Sequence, residues 1–204
     1  MEIGELHAFE STMDAKAEQI LEALNRAGAL NIRAVRGCLS EATFFIEVVG
    51  PLVRDEKFEN VTPPGDLPFD AKLRDPKGEI RIQVKLQRRK DGNQPWIRND
   101  GNGVVELQRT RTGVKGGKKT RPYRFGEFDI LAVCMQPSHK KWGSFLYLPE
   151  CWLFPDAGDK SIIEKMQPVP LEANEAWTNN FEEAVRRLRS GKPRPNQKNT
   201  GRRL

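Results

Sequence analysis

A predicted β-hairpin that spans residues 69–86 constrains the fold more than any other part of the sequence. Its second half alternates polar and apolar side chains, as expected for a strand with one buried face. Its first half ends in the turn sequence Asp75-Pro76-Lys77-Gly78, so the two halves are predicted to be antiparallel neighbours. Gln83 and Lys85 then share the polar face, and Asp70 arrives on the preceding strand. An acid, an amide and a lysine are therefore predicted to meet at one place, where a divalent metal and a phosphate could bind.

Three helices are predicted around this hairpin. The first begins at Ser11 or Thr12 and ends near Ala27, with a buried apolar stripe made of Ala17, Ile20, Leu21 and Leu24. Residues 31–53 are ambiguous, because a helix start at Ser40 and Glu41 is followed by strand formers; a helix is favoured. The last helix covers residues 174–189, and its apolar stripe is Trp177, Phe181, Ala184, Val185 and Leu188.

Further strands follow the hairpin. Residues 128–135 are almost continuously apolar, which predicts a central strand buried on both faces. Residues 142–148 are its predicted hairpin partner, and residues 104–107 form a short separate strand. We expect one domain over residues 1–190 with a basic insertion at about 87–124, and a basic flexible tail over residues 191–204.

Positive charge is concentrated in the middle of the sequence. The 204 residues carry a formal net charge of +6, and the segment from Lys72 to Arg124 holds 16 Lys and Arg against 5 Asp and Glu. This distribution favours a polyanionic partner such as DNA. Three widely spaced cysteines and two histidines do not fit a zinc site. No apolar stretch approaches the roughly 18 residues of a membrane span, so a cytoplasmic protein without membrane contact is expected.

The order of these elements resembles that of the PD-(D/E)XK nuclease superfamily, which includes many restriction endonucleases, intron-encoded homing endonucleases and Holliday-junction resolvases. Pro68-Phe69-Asp70 corresponds to the proline-aspartate motif, and Gln83-Val84-Lys85 to the acid-x-lysine motif. The resemblance runs from about residue 13 to residue 149, and residues 123–133 with 147–149 look like later strands of the homing and resolvase-like branches. It implies an α/β, restriction-endonuclease-like core, in which helices flank a central mixed sheet.

The resemblance also implies a set of site residues and a magnesium cofactor. Asp70, Gln83 and Glu18 would ligate Mg²⁺, and Lys85 would contact the water or the phosphate. Glutamine replaces the usual acid at position 83; its amide oxygen can ligate Mg²⁺ but brings no charge. A glutamate on the first helix supplies a further ligand in some members, which makes Glu18 the first candidate and Asp14 the second. Glu79 ranks below Glu18.

The basic segment supplies the candidate DNA contacts. Cationic side chains would track phosphates, and Arg98, Asn99, Asn102, Gln108 and Arg109 are also candidates for contacts with base edges. The whole predicted set is Arg88, Arg89, Lys90, Arg98, Asn99, Asn102, Gln108, Arg109, Arg111, Lys115, Lys118, Lys119, Arg121 and Arg124.

These features predict a Mg²⁺-dependent endonuclease that cuts double-stranded DNA. A type II restriction endonuclease is favoured, because a small single domain carries a long basic insertion between the lysine strand and the buried strand. Such an enzyme is expected to act as a homodimer, since a symmetric dimer suits a palindromic site. An intron-type homing endonuclease or a junction resolvase is the alternative within the same class. A catalytically inactive DNA-binding protein of the same fold, whose site has decayed at Gln83, is the alternative from another class.

Overall fold

The structure is a computed structural model that describes residues 8–109, 114–115, 118–119 and 122–195. The chain divides into two compact units, residues 1–38 and residues 39–204. No helix in the described ranges is long and apolar enough to cross a membrane. The single domain expected over residues 1–190 stays a prediction.

The first unit is helical. It contains α1 (Ala8–Met13), α2 (Ala17–Arg26) and the beginning of α3 (Ala29–Phe44). The predicted uninterrupted helix from residue 11 or 12 to 27 is wrong, because Asp14 has a φ of +46°, a left-handed conformation that a right-handed helix cannot include. The predicted buried stripe is wrong as well, since no residue of α2 is buried and Leu21 is 66% exposed.

The second unit begins within α3 and contains further helices. A π-helical segment (Phe45–Val49) and α4 (Gly50–Arg54) follow α3 directly, which confirms the helix favoured for residues 31–53. The later helices are α5 (Gln136–His139) and α6 (Phe181–Arg189). The predicted start of the last helix at residue 174 is wrong, because Asn180 caps α6 by accepting the N–H of Glu183 at 2.8 Å.

Eleven strands are present among the described residues, and five of them form the central sheet in the order β1, β2, β3, β9, β10. Strands β3 and β9 are parallel, and the other neighbours in this sheet are antiparallel. The prediction of an α/β protein with a mixed central sheet and flanking helices is therefore confirmed. The strands are β1 (Glu59–Asn60), β2 (Ala71–Asp75), β3 (Gly78–Leu86), β4 (Arg89–Lys90), β5 (Gln94–Pro95), β6 (Gly103–Glu106), β7 (Val114–Lys115), β8 (Lys118–Lys119), β9 (Ile130–Cys134), β10 (Phe145–Pro149) and β11 (Met166–Val169).

The hairpin of β2 and β3 has the predicted geometry. Ala71 pairs with Ile82, and the turn closes with Asp75 opposite Gly78. Gly78 has a φ of +127°, a backbone conformation that is readily open only to glycine. The buried central strand and its antiparallel partner are also confirmed, as β9 and β10.

Two apolar clusters cover the two faces of the sheet. On one face Ile82 and Val84 pack with Phe44 of α3 and Phe181 of α6. On the other face, side chains of β9 pack with a small ribbon of β6 and β11 and with buried loop residues such as Trp177. The sequence predicted β6 but not β11, which pairs with it across a long stretch of chain. The side chains of Ile82 and Val84 therefore lie on the apolar face of β3, as the alternation predicts.

Candidate active site

Asp70 lies immediately before β2 and reaches across to β3. Its backbone N–H donates to the carbonyl of Ile82 at 2.9 Å. Its Oδ2 accepts the backbone N–H of Val84 at 2.7 Å and the side-chain Nε2 of Gln83. The hairpin therefore holds the Asp70 carboxylate against the middle of β3, and Asp70 and Gln83 are in contact as their positions predict.

Gln83 has a defined amide orientation inside the protein, where its side chain is only 1% exposed. Nε2 donates to Asp70 and to the carbonyl of Val84 at 3.2 Å. Oε1 accepts the hydroxyl of Tyr123 at 3.0 Å. The amide nitrogen, rather than the oxygen expected for a metal ligand, therefore faces Asp70. A cation beside Asp70 would bind the carbonyl oxygen of Gln83 only after the amide had turned over.

Lys85 follows on the same face of β3, two residues beyond Gln83. Its side chain is half-buried, and its Nζ lies 5.5 Å from the centre of the Tyr123 ring. The ammonium also lowers the pKa of the Asp70 carboxyl, opposing the effect of burial. Lys85 thus interacts electrostatically with Asp70. It also lies near the ring of Tyr123, whose hydroxyl donates a hydrogen bond to Gln83.

Glu41 is the acid that the sequence reading missed. It lies on the part of α3 that belongs to the second unit, and its side chain is half-buried. Burial, together with the nearby negative charge of Asp70, raises the pKa of Glu41 to about 7, against the opposing positive charge of Lys85. The structure therefore brings Glu41 into electrostatic range of two predicted site residues. The available signal was its helical spacing, because Glu41 precedes the core residue Phe44 by three positions.

The other acidic candidates differ in their surroundings. Glu18 lies on α2 in the first unit and is exposed, and Asp14 is exposed in the same unit. The role of Glu18 as a ligand stays a prediction. Glu79 lies at the outer end of β3, where it forms ion pairs with Lys72 and with Arg74, the latter at 2.7 Å. Glu79 is therefore part of a surface ion-pair network at the hairpin turn.

The charges of the site are compatible with a bound hard cation. Burial is the main cause that raises the pKa of Asp70, and it is also the main cause that raises the pKa of Glu41. Two half-buried acids thus face one lysine, so a divalent cation would relieve an unfavourable concentration of negative charge. Within the described residues no group of three or more His, Cys, Asp and Glu is arranged to hold a metal. Mg²⁺ needs only one or two protein carboxylates, since it keeps waters and binds substrate phosphate.

Several predicted DNA contacts are engaged inside the protein. Arg88 pairs with Glu106 at 2.8 Å, and Gln108 donates to the same carboxylate. Arg89 donates to the carbonyl of Asn93 and to Gln136, both at 2.5 Å. The ion pair with Glu106 therefore offsets the charge of Arg88, whereas the hydrogen bonds of Arg89 to neutral groups hold its guanidinium without offsetting its charge.

Two arginines of the segment contact side chains of residues that follow the segment in the sequence. Arg109 lies 3.6 Å from Glu127, and its guanidinium is 5.8 Å from the centre of the Tyr123 ring. Arg124 donates to Ser161 Oγ at 3.0 Å. Arg109 therefore lies near Tyr123, which contacts the candidate active site, and not on a separate surface that could contact base edges.

Among the residues of the segment whose side chains the structure describes, several exposed ones lie from β4 to the turn before β6. Lys90, Arg98 and Asn99 are exposed, and Asn102 is half-buried at the following turn. For Lys115, Lys118 and Lys119 the structure describes only the backbone of β7 and β8. Arg111 and Arg121 lie outside the described residues, as does most of the predicted basic tail.

No protein-family model and no curated protein matches the chain. The chain is similar in structure to a bacterial homing endonuclease, I-Ssp6803I, with 18% sequence identity and a TM-score of 0.44. The similarity covers 78% of this chain and 94% of that one.

Proposed function

We propose that this protein is a Mg²⁺-dependent endonuclease that hydrolyses phosphodiester bonds in double-stranded DNA. The observation that carries the proposal is the contact of Asp70 with Gln83 against the middle of β3. Glu41 and Lys85 lie within electrostatic range of Asp70. Two acids can hold a metal ion and a lysine can stabilise charge on a phosphate, so this set of residues suits metal-assisted phosphodiester hydrolysis. The concentration of positive charge in residues 72–124 supports DNA as the substrate.

Each residue has a distinct role in the proposed reaction. Asp70 and Glu41 would hold Mg²⁺, and Gln83 would add its carbonyl oxygen once its amide had turned. When bound, Mg²⁺ polarises the phosphate and lowers the pKa of water. Lys85 stabilises the negative charge that develops on the phosphate, because an ammonium is a compact charge on a mobile stem. The half-buried setting strengthens this interaction, since water screens it less than at the surface.

The binding surface follows from the exposed cations. Lys90 and Arg98 are exposed on the segment that follows β3, and they are the residues that we propose bind phosphates of the DNA backbone. Asn99 and Asn102 are the nearest candidates for base contacts. A symmetric homodimer would place two such sites on the two strands of a palindromic target.

Within this class we propose a type II restriction endonuclease. An intron-type homing endonuclease would recognise a much longer target, and a resolvase would require branched DNA. Determining the length and shape of the cleaved target therefore distinguishes the three. The inactive alternative rests on a specific observation, which is that Gln83 turns its Nε2 and not its oxygen toward Asp70.

The test is cleavage of plasmid and phage DNA by the purified protein with Mg²⁺ and with EDTA. Discrete fragments are expected only with Mg²⁺, and Asp70→Asn and Lys85→Ala should abolish them. Lys72→Ala is a matched control, because Lys72 is a partly buried lysine on the neighbouring strand that pairs with Glu79. Intact DNA under every condition, with DNA binding retained, would refute the nuclease and support the inactive DNA-binding protein.

A further inference from the structure

Tyr123 joins three residues of the candidate site through its hydroxyl and its ring. The hydroxyl donates to Gln83 Oε1 at 3.0 Å. The ring carries the Lys85 ammonium at 5.5 Å and the Arg109 guanidinium at 5.8 Å from its centre. The sequence reading gave Tyr123 no role of its own, so these contacts are new information from the structure.

The environment of Tyr123 makes these contacts rigid. Its side chain is 3% exposed, and its ring packs edge-on against Phe128 with ring centres 5.6 Å apart. Its backbone carbonyl accepts the N–H of Ile163 at 2.9 Å. A buried hydroxyl needs a partner, and Gln83 is the partner that the structure shows. Tyr123 therefore holds the amide from a fixed position.

The hydroxyl holds the Gln83 amide in the orientation that the structure shows. Because a donor occupies Oε1, the Nε2 group is left to donate to Asp70 and to the Val84 carbonyl. A phenol can also accept a hydrogen bond, so it can partner the amide in the reverse orientation, in which Oε1 faces Asp70. Phenylalanine can do neither. The ring, by contrast, offers the same face to a cation in both residues.

We infer that Tyr123 is a positioning residue that fixes the Gln83 amide through its hydroxyl and supports Lys85 through its ring. Its effect on hydrolysis rests on the proposed function, whereas its effect on Gln83 does not. Tyr123→Phe therefore separates the two contacts, because it removes the hydroxyl and retains the ring. The hydroxyl is expected to act entirely through Gln83.

The first measurement follows the Gln83 side-chain amide by NMR, with the signals assigned by their loss in Gln83→Ala. In the native protein the two amide hydrogens are expected to exchange slowly with water, because both are donated inside the protein. Tyr123→Phe should accelerate their exchange about tenfold. Tyr147→Phe is the matched control, because Tyr147 is equally buried on β10 and packs with Phe145 and Phe181. Equal exchange in Tyr123→Phe and the native protein would overturn the inference.

The second measurement is a double-mutant cycle on Mg²⁺-dependent cleavage. Tyr123→Phe is expected to lower kcat about tenfold in the native background and to have no further effect in Gln83→Ala. An equal loss in both backgrounds would show a merely structural role and overturn the inference. If the native protein cleaves no DNA, the proposed function fails, and the NMR comparison alone decides the role of Tyr123. If Tyr123→Phe does not fold, the test is the Tyr123 hydroxyl proton of the native protein, which should be visible and slow to exchange; its absence would overturn the inference.

Discussion

Replacing Glu41 with glutamine is expected to make the protein more stable at and above neutral pH. Glu41 is a half-buried acid on α3, and burial with the nearby charge of Asp70 raises its pKa from 4.5 to about 7, against the opposing charge of Lys85. Ionising Glu41 is therefore more costly in the folded protein than in the unfolded chain. Glutamine has nearly the same shape and no charge, so it removes this cost.

The sign and size follow from proton linkage. Between the two pKa values the folded protein retains a proton on Glu41 that the unfolded chain has lost, so the free energy of unfolding falls by about 1.4 kcal/mol per pH unit. The full stabilising effect of the protonated group is present below pH 4.5 and is lost as the pH rises through about 7. Over this window the loss is about 3 kcal/mol, which solvent screening of a half-buried group reduces to about 1 to 2 kcal/mol.

Urea unfolding at a series of pH values from 4.5 to 8.5, in EDTA, measures this directly. Glu41→Gln and the native protein should have similar stability at the acidic end, and the variant should be more stable by about 1 to 2 kcal/mol at pH 8. Glu175→Gln, at an exposed position in the second unit, should follow the native curve. Parallel curves for Glu41→Gln and the native protein across the whole range would refute the raised pKa of Glu41 and the half-buried position that causes it.

Three further outcomes are expected. Phe44→Ala should lower the free energy of unfolding by about 3 to 5 kcal/mol in urea unfolding, because Phe44 is fully buried among aromatic rings; a loss below about 1 kcal/mol would contradict that packing. Gln83→Glu should lower the melting temperature in EDTA and increase its rise on addition of Mg²⁺, because a third carboxylate replaces the Nε2 donor; an unchanged response to Mg²⁺ would contradict this. Lys90→Ala and Arg98→Ala should each reduce the slope of log affinity against log salt for DNA binding by about 0.9, and an unchanged slope would exclude phosphate contact.

The hairpin and the central strands could be predicted because their signals are local. The turn before Gly78 fixes the pairing of β2 with β3, and the alternation along β3 then assigns each side chain to a face. A continuous apolar run likewise identifies β9 as a strand buried on both faces. In each case a few adjacent residues contain all the information that the element needs.

The remaining features depend on contacts between distant parts of the chain. The break at Asp14 and the exposure of Leu21 do not follow from the helical spacing of α2, which is amphipathic by sequence alone. Strand β11 pairs with β6 at long range and contains Pro168, which weakens a strand prediction. Glu41 was overlooked because residues 31–53 were ambiguous between helix and strand, so no face could be assigned to it. Its proximity to Asp70 exists only once the chain has folded.

The glutamine at position 83 can be understood from the charges around it. Glu41 and Asp70 are already half-buried acids with raised pKa values, and Lys85 compensates only one of them. A third acid at the buried position 83 would add to this repulsion whenever no cation is bound. An amide instead donates to Asp70 and accepts from Tyr123, so it ties the hairpin to the rest of the second unit without a metal. On this account Gln83 stabilises the metal-free protein. In the proposed active site, Glu41 would supply the negative charge that an acid at position 83 would otherwise provide.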